Sequence, residues 1–337
     1  MAGIVKWLAG IGIVGLLGWV GWWFAAAAGQ EAALEAWLAA RAEEGWQAEG
    51  AVDVAGFPMR FERRIEEPAL ADPEAGWAWR APWIDATSPV FDPTNLALRL
   101  PNEQSFAVPA ARVAVASERF EGLLSVTPGL TLPLRSLGLQ IDALQLTGRE
   151  GWTAGAKTLR LAFDRRSEGA PENTYSFDVA ADAVALPQRL LGRLGMEGLG
   201  TLQIEGQVVS DRPLDLPVLE TGIVGARTLV IREGRLTLGS AALEARGRID
   251  ADAEGFAEGS LEIVARDWER LLDGLVQAGA LHPRMGDGLR QALGFAALLG
   301  GGETLTITLG FSGGEALIGP IAIGEAPRML PQQKPRS

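Results

Sequence analysis

Beyond Gly45 the chain alternates apolar and polar positions with a period of two. In the clearest stretch Leu243, Ala245, Gly247, Ile249 and Ala251 take turns with Glu244, Arg246, Arg248, Asp250 and Asp252. Leu305, Ile307, Leu309 and Phe311 alternate with Thr304, Thr306, Thr308 and Gly310, and Tyr175, Phe177 and Val179 with Thr174, Ser176 and Asp178. Shorter runs carry Val113/Val115, Leu137/Leu139/Ile141, Leu159/Leu161/Phe163, Leu236/Leu238 and Leu261/Ile263. Successive side chains of a strand point to opposite faces, so each run predicts a strand wetted on one side, a condition antiparallel sheets meet and parallel sheets rarely do. Glycine turns such as Arg232-Glu233-Gly234 and Ser312-Gly313-Gly314-Glu315 join neighbours. The pattern predicts a mainly β, β-rich α+β chain built on a large curved antiparallel sheet of hairpins. About 14 to 16 strands at about 4.8 Å spacing would span roughly 70 Å, short for a bridge between two membranes.

Helical spacing appears in few places. Pro187 to Leu194 groups Leu190, Leu191 and Leu194; Asp267 to Ala278 sets Trp268, Leu271, Leu272, Leu275 and Val276 on one stripe; Met285 to Leu299 offers a third helix. These are expected to cover a sheet end or edge. At the N-terminus no charged side chain occurs from Trp7 to Gln30, a run long enough to cross a bilayer, for which about 20 apolar residues suffice. Lys6 precedes the run and Glu31, Glu35, Glu43 and Glu44 follow it, which puts Met1 in the cytoplasm and the body outside. Trp19, Trp22 and Trp23 are expected at the far lipid–water boundary. A cleaved secretory signal ending in Ala25-Ala26-Ala27-Ala28-Gly29 is the competing reading, although secretory apolar regions usually run only about 7–15 residues. Gly12, Gly15, Gly18 and Gly21 recur every three residues, a spacing that drifts around a helix and does not match the four-residue packing motif. The expected organisation is a transmembrane anchor over 1–29, a stem helix over 30–45 with Leu34, Trp37, Leu38 and Arg41 at helical spacing, a β region over 46–190, a second over 191–327 with helices near 267–299, and a disordered tail over 328–337. The soft boundary between the β regions falls around Asp182 to Leu199.

Composition narrows the chemistry. With 337 residues, size does not limit the core. A net charge of −12 disfavours nucleic acid as a partner. No cysteine is present and His282 is the single histidine, which removes disulfides, thiolate chemistry and most zinc sites. Gly310-Phe311-Ser312-Gly313-Gly314 has the spacing of a hydrolase nucleophile elbow. An elbow runs from strand into helix and is followed by an acid and a histidine, whereas here a strand follows and His282 precedes the serine, so a hairpin turn is expected. Asp250-Ala251-Asp252-Ala253-Glu254-Gly255 imitates the start of a calcium loop, but Leu261 stands at the twelfth position where a bidentate glutamate belongs, so a solvated turn is expected. His282, before Pro283, is read as an exposed connector, and Glu66-Glu67 as surface charge. No catalytic, cofactor-binding or metal-binding residue is assigned, and the chain is not read as an enzyme.

Two regions carry a family resemblance: Gly56-Phe57-Pro58-Met59-Arg60-Phe61 with Asp72-Pro73 and Gly76-Trp77-Ala78-Trp79-Arg80-Ala81-Pro82-Trp83, and Gly319-Pro320-Ile321-Ala322-Ile323-Gly324 ending in Ala326-Pro327. With the N-terminal anchor and hairpin-rich middle, the chain resembles, nearly end to end, an uncharacterised alphaproteobacterial envelope family, domain of unknown function 2125. In style the body is also similar to AsmA-like envelope proteins, whose curved sheets are associated with phospholipid handling between membranes. The first resemblance implies no site residues. The functional expectation is a single-pass inner-membrane protein with a periplasmic body that takes a phospholipid or acyl chain in an apolar sheet groove, lined by Leu243, Ile249, Leu261, Ile263, Leu305, Ile307, Leu309 and Phe311. The alternative is a structural or assembly protein of the envelope with a closed core and protein partners. Its partners would otherwise be the bilayer lipids, and no cofactor is expected.

Overall fold

The computed structural model describes residues 2–74, 76–109, 111–166, 169–194, 198–222, 224–277, 290, 293–294, 304–319 and 321–331. A large antiparallel sheet is present as expected, and the chain divides into two compact units, 1–124 and 125–337. Both are mainly β, with few helices.

The first unit opens with α1 (Ala2–Glu43), one continuous helix where an anchor and a separate stem were expected. Ala25 to Glu31 contains no breaker beyond Gly29, whose cost of about 1 kcal/mol relative to alanine is too small to interrupt such an alanine-rich run. Among the described residues no helix is long and apolar enough to cross a membrane. The side chains of residues 1–13, including Lys6, Trp7 and Gly12 of the expected anchor, lie outside those described. The helix ends at Gly45, whose positive φ of 93° turns the chain. β1 (Gln47–Ala55) then pairs with β2 (Arg60–Asp72). β2 forks on its other side: Arg60 to Glu66 pair with β4 (Trp83–Pro89), and Ala69 to Asp72 pair with β3 (Trp77–Arg80). The fork falls at Glu67, held at φ 48°, and at Pro68, which has no N–H for a ladder. β5 (Asn95–Arg99), β6 (Glu103–Val108), β7 (Ala111–Ala116) and β8 (Arg119–Val126) extend the ladders.

The helix packs on this sheet through Trp23 and Ala27, which are buried with Phe61 of β2 and Val90. The Trp23 indole N–H donates to the Arg60 carbonyl at 3.3 Å. Of the three tryptophans expected together at a lipid boundary, Trp23 is therefore core, 2 % exposed, while Trp22 is 49 % exposed. Ring stacking at 5.5 Å on Phe61 gives Trp23 a better-packed environment than an interface would.

The second unit is a meander. β9 (Leu134–Gly148), β10 (Thr153–Arg165), β11 (Thr174–Val184), β12 (Gly200–Ser210), β13 (Ala226–Leu238), β14 (Ala241–Ala251), β15 (Ala257–Arg266), β16 (Thr304–Ser312), β17 (Glu315–Ile318) and β18 (Ile321–Glu325) each pair antiparallel with the next. The expected boundary near Asp182 to Leu199 is not a division: β11 and β12 pair from Thr174↔Val209 to Val184↔Gly200, and α2 (Gln188–Leu194) is an insertion between them. α4 (Trp268–Gln277) forms where the apolar stripe predicts it, whereas the expected helix over Met285–Leu299 falls largely outside the described residues. α3 (Leu216–Thr221) was not expected from the apolar spacing. Its signals are in the caps: Asp215 accepts from the Val218 N–H, Pro217 stands in the first turn, and Gly222 closes the helix at φ 62°.

The tail is a second correction. Arg328 bridges to Phe256, the Met329 and Leu330 N–H groups donate to the Gly255 carbonyl at 2.8 and 3.1 Å, and the Ala226 N–H donates to the Met329 carbonyl. Residues 328–330 are thus a strap, with the Arg328 guanidinium 4.3 Å from the centre of the Phe256 ring. Residues 332–337 of the expected disordered tail lie outside the described ones.

Candidate functional site

The registers of β9 to β16 align their apolar positions into transverse rows. Leu139, Leu161, Val179, Ile204, Gly234, Ala245, Ile263 and Ile307 form the middle row. On one side lies the row Leu137, Phe163, Phe177, Gly206, Ile231, Gly247, Leu261 and Leu309; on the other lies Ile141, Leu159, Ala181, Leu202, Leu236, Leu243, Ala265 and Leu305. No polar side chain interrupts any of the three. At about 4.8 Å between strands and about 6.7 Å between residues on one face, the rows cover about 34 by 13 Å.

Every member of the middle row keeps part of its surface open, and Leu236 is 39 % exposed. A sheet face closed against a second layer would bury such residues almost completely. Gly206 belongs to the design of this face: a Cβ there would approach Phe177 Cζ to 2.4 Å, so the phenyl ring lies across the glycine.

All eight groove residues expected from the sequence lie at the β14–β16 end of this face, and all but Ile263 belong to one of two packed clusters. Leu305 is buried with Ala265, Trp268 and Leu272 of α4, with Leu243 and Ile307 against them. Ile249 and Phe311 are buried with Ala257, Ala316 and Ala326, with Leu261, Leu309 and Met329 of the strap beside them. Ile263, in the middle row, is half-buried. The same rows continue across β9 to β13, where Leu236 is exposed and Ile141 and Ala181 are buried; sequence reasoning left these strands out of the site. Their signal was present in Leu137/Leu139/Ile141 and Leu159/Leu161/Phe163, but only the register shows that these runs continue the row of Ile263 and Ile307. Beside α2 there is also a cleft of about 680 Å³ whose lining includes Leu144, Gly155, Leu186, Leu191 and Leu199.

The opposite face is polar. Arg248 donates to both Asp250 oxygens at 2.7 Å, Thr228 Oγ1 donates to Asp250 Oδ1 at 2.6 Å, and Arg246 reaches Glu262. Hydrogen bonding from Arg248 holds the Asp250 carboxyl below its ordinary range and raises Arg248 in turn. These arginines are already engaged by carboxylates, so they offer a phosphate little free charge. The acidic turn is closed by itself: Asp252 Oδ1 accepts from the Glu254 and Phe256 N–H groups at 3.0 and 2.7 Å, with Gly255 at φ 86°. Ser312 leads into Gly313 and Gly314, both at positive φ, and pairs with Glu315, so the elbow-like motif is a hairpin turn. His282 lies outside the described residues.

A family model described as an uncharacterized protein conserved in bacteria, DUF2125, matches residues 23–327. No curated protein and no solved structure matches the chain.

Proposed function

The chain belongs to this bacterial family, and on its geometry we propose that it is a membrane-anchored, periplasmic envelope protein that binds a lipid acyl chain on the apolar face of β9–β16 without catalysis. An alphaproteobacterial source and kinship with AsmA-like proteins are part of this reading. The observation that carries it is the middle row, apolar from β9 to β16 and nowhere buried. The charge-free N-terminal run, with its cation before and its acids after, supports the anchor and its orientation.

Magnitudes restrict the ligand. Burial contributes about 0.8 kcal/mol per methylene. Micromolar binding corresponds to about 8 kcal/mol, and association itself costs at least about 4 kcal/mol. Roughly fifteen buried methylenes are then required, which selects chains of about 16 carbons and excludes short acyl groups. Headgroup selectivity should be slight, because the arginines nearest the face are engaged on its far side.

A photo-crosslinker at Leu161 or Ile204, in the middle row, is expected to capture co-purifying lipid, and one at Arg160 or Gln203, on the other face, is not. Adducts at neither pair would favour the second reading, an assembly protein with a closed core. The two packed clusters under α4 and under the strap are what support that alternative.

A further inference from the structure

Two hairpin tips of the first unit meet α1 at one level. The β1–β2 turn places the Phe57 ring 5.4 Å from Trp23 and 5.7 Å from Phe24. The β4–β5 turn places Phe91 5.3 Å from Trp19, which stacks on Trp22 at 5.2 Å. One side of this aromatic knot is core, through Trp23, Phe61 and Val90. Its other side is bare: Phe91 is 73 % exposed, Met59 59 %, Phe24 58 %, Trp22 49 % and Phe57 44 %.

The helix changes character at this level. Toward its C-terminus it is dressed with polar contacts, Gln30 to Arg63 at 2.7 Å and Arg41 to Glu44 at 2.8 Å. Toward its N-terminus Val14, Leu16 and Leu17 are between 61 % and 71 % exposed, and no charge occurs back to Lys6. The bare aromatics therefore lie on and beside the helix where a wet section gives way to an apolar one. Amphipathic rings gather at that level when a helix leaves a bilayer, because the lipid–water boundary accommodates both their apolar bodies and their polar edges.

We infer that the two hairpin tips, Phe57 to Met59 and Phe91, insert into the headgroup layer beside the helix and seat the first unit on the bilayer surface. This rests on the reading that α1 enters the membrane. A bilayer fits better than a protein partner because the charge-free part of the helix leads out through the patch, and a folded partner would have to accommodate that rod as well. Contact is apolar in kind: Arg60 is paired with Glu62, and Asp92 holds Asn95, so the tips present no free cation to an anionic headgroup.

The absence of cysteine makes the test direct. Full-length variants Leu17→Cys, Met59→Cys, Phe91→Cys and Glu103→Cys would each carry one environment-sensitive fluorophore and be reconstituted in phosphatidylcholine vesicles. Blue-shifted emission at 17, 59 and 91, quenched by spin-labelled lipid rather than aqueous iodide, with water-like emission at the exposed β6 site 103, is the expected result. Iodide quenching at 59 and 91 equal to that at 103, with 17 shielded, overturns the seating and leaves the anchor standing. Water-like emission at 17 as well overturns both.

Discussion

Arg63 shows how much one side chain can hold. Its half-buried guanidinium is gripped by Gln30 Oε1 at 2.7 Å, Ser88 Oγ at 3.1 Å and the Ala86 carbonyl at 3.5 Å, and burial lowers its pKa from the usual arginine value. These acceptors are neutral, so the cation depends on their number and geometry. Gln30→Ala is expected to cost about 1–2 kcal/mol in chemical denaturation, since it leaves a buried donor unmet. Gln30→Glu should cost less or stabilise, because a charge-assisted bond replaces a neutral one. Equal losses for both variants would show that the helix side chain matters only by its packing. Nothing in the sequence marks this pair, which are 33 positions apart and meet only through the docking of α1 on β2. By contrast the fate of Asp252 and Ser312 was legible, since each sits in a turn whose glycines announce it.

Strands were legible where both faces had work to do. In β14 and β16 charged or threonine residues alternate with aliphatics, and the paired registers follow that alternation. β2 was not, because its fork depends on Pro68 and on two different partners, neither of which a period of two reveals. The strap over residues 328–330 was misread for a related reason: polar and proline-containing composition describes a chain's solubility and not the carbonyls that wait for it. Gly255 supplies such a carbonyl, and Met329 packs against the cluster of Ile249 and Phe311. Truncation after Pro327 should therefore destabilise the second unit by about 2 kcal/mol, the scale of uncovering one methionine-sized side chain, with a lowered Tm. An unchanged Tm would mean that the strap only rests on the sheet.

For the whole chain the mainly β class was legible, but the continuous α1 was read as two segments and the division was put at an insertion. A short helix with glycines reads as a linker, while the pairing of β11 with β12 passes beneath it unbroken. The net charge of −12 bears on how the whole molecule meets a membrane. If the contact is apolar, raising salt should leave association with phosphatidylcholine vesicles unchanged, and anionic lipid should weaken it; strong salt sensitivity in flotation assays would instead indicate a cationic surface.

The order of the second unit also has a bearing on its birth. From β9 to β15 every strand lies against the one made just before it, so a nascent chain leaving the ribosome finds a finished edge at each addition and no closure has to span another strand. The longest interruption falls between β15 and β16, where residues 267–303 intervene. The strap arrives after all of the strands and fastens to Gly255 and Ala226, both translated long before. Until it arrives the cluster around Ile249 lacks its cover, which makes an interrupted chain a hydrophobic, recognisable substrate for quality control.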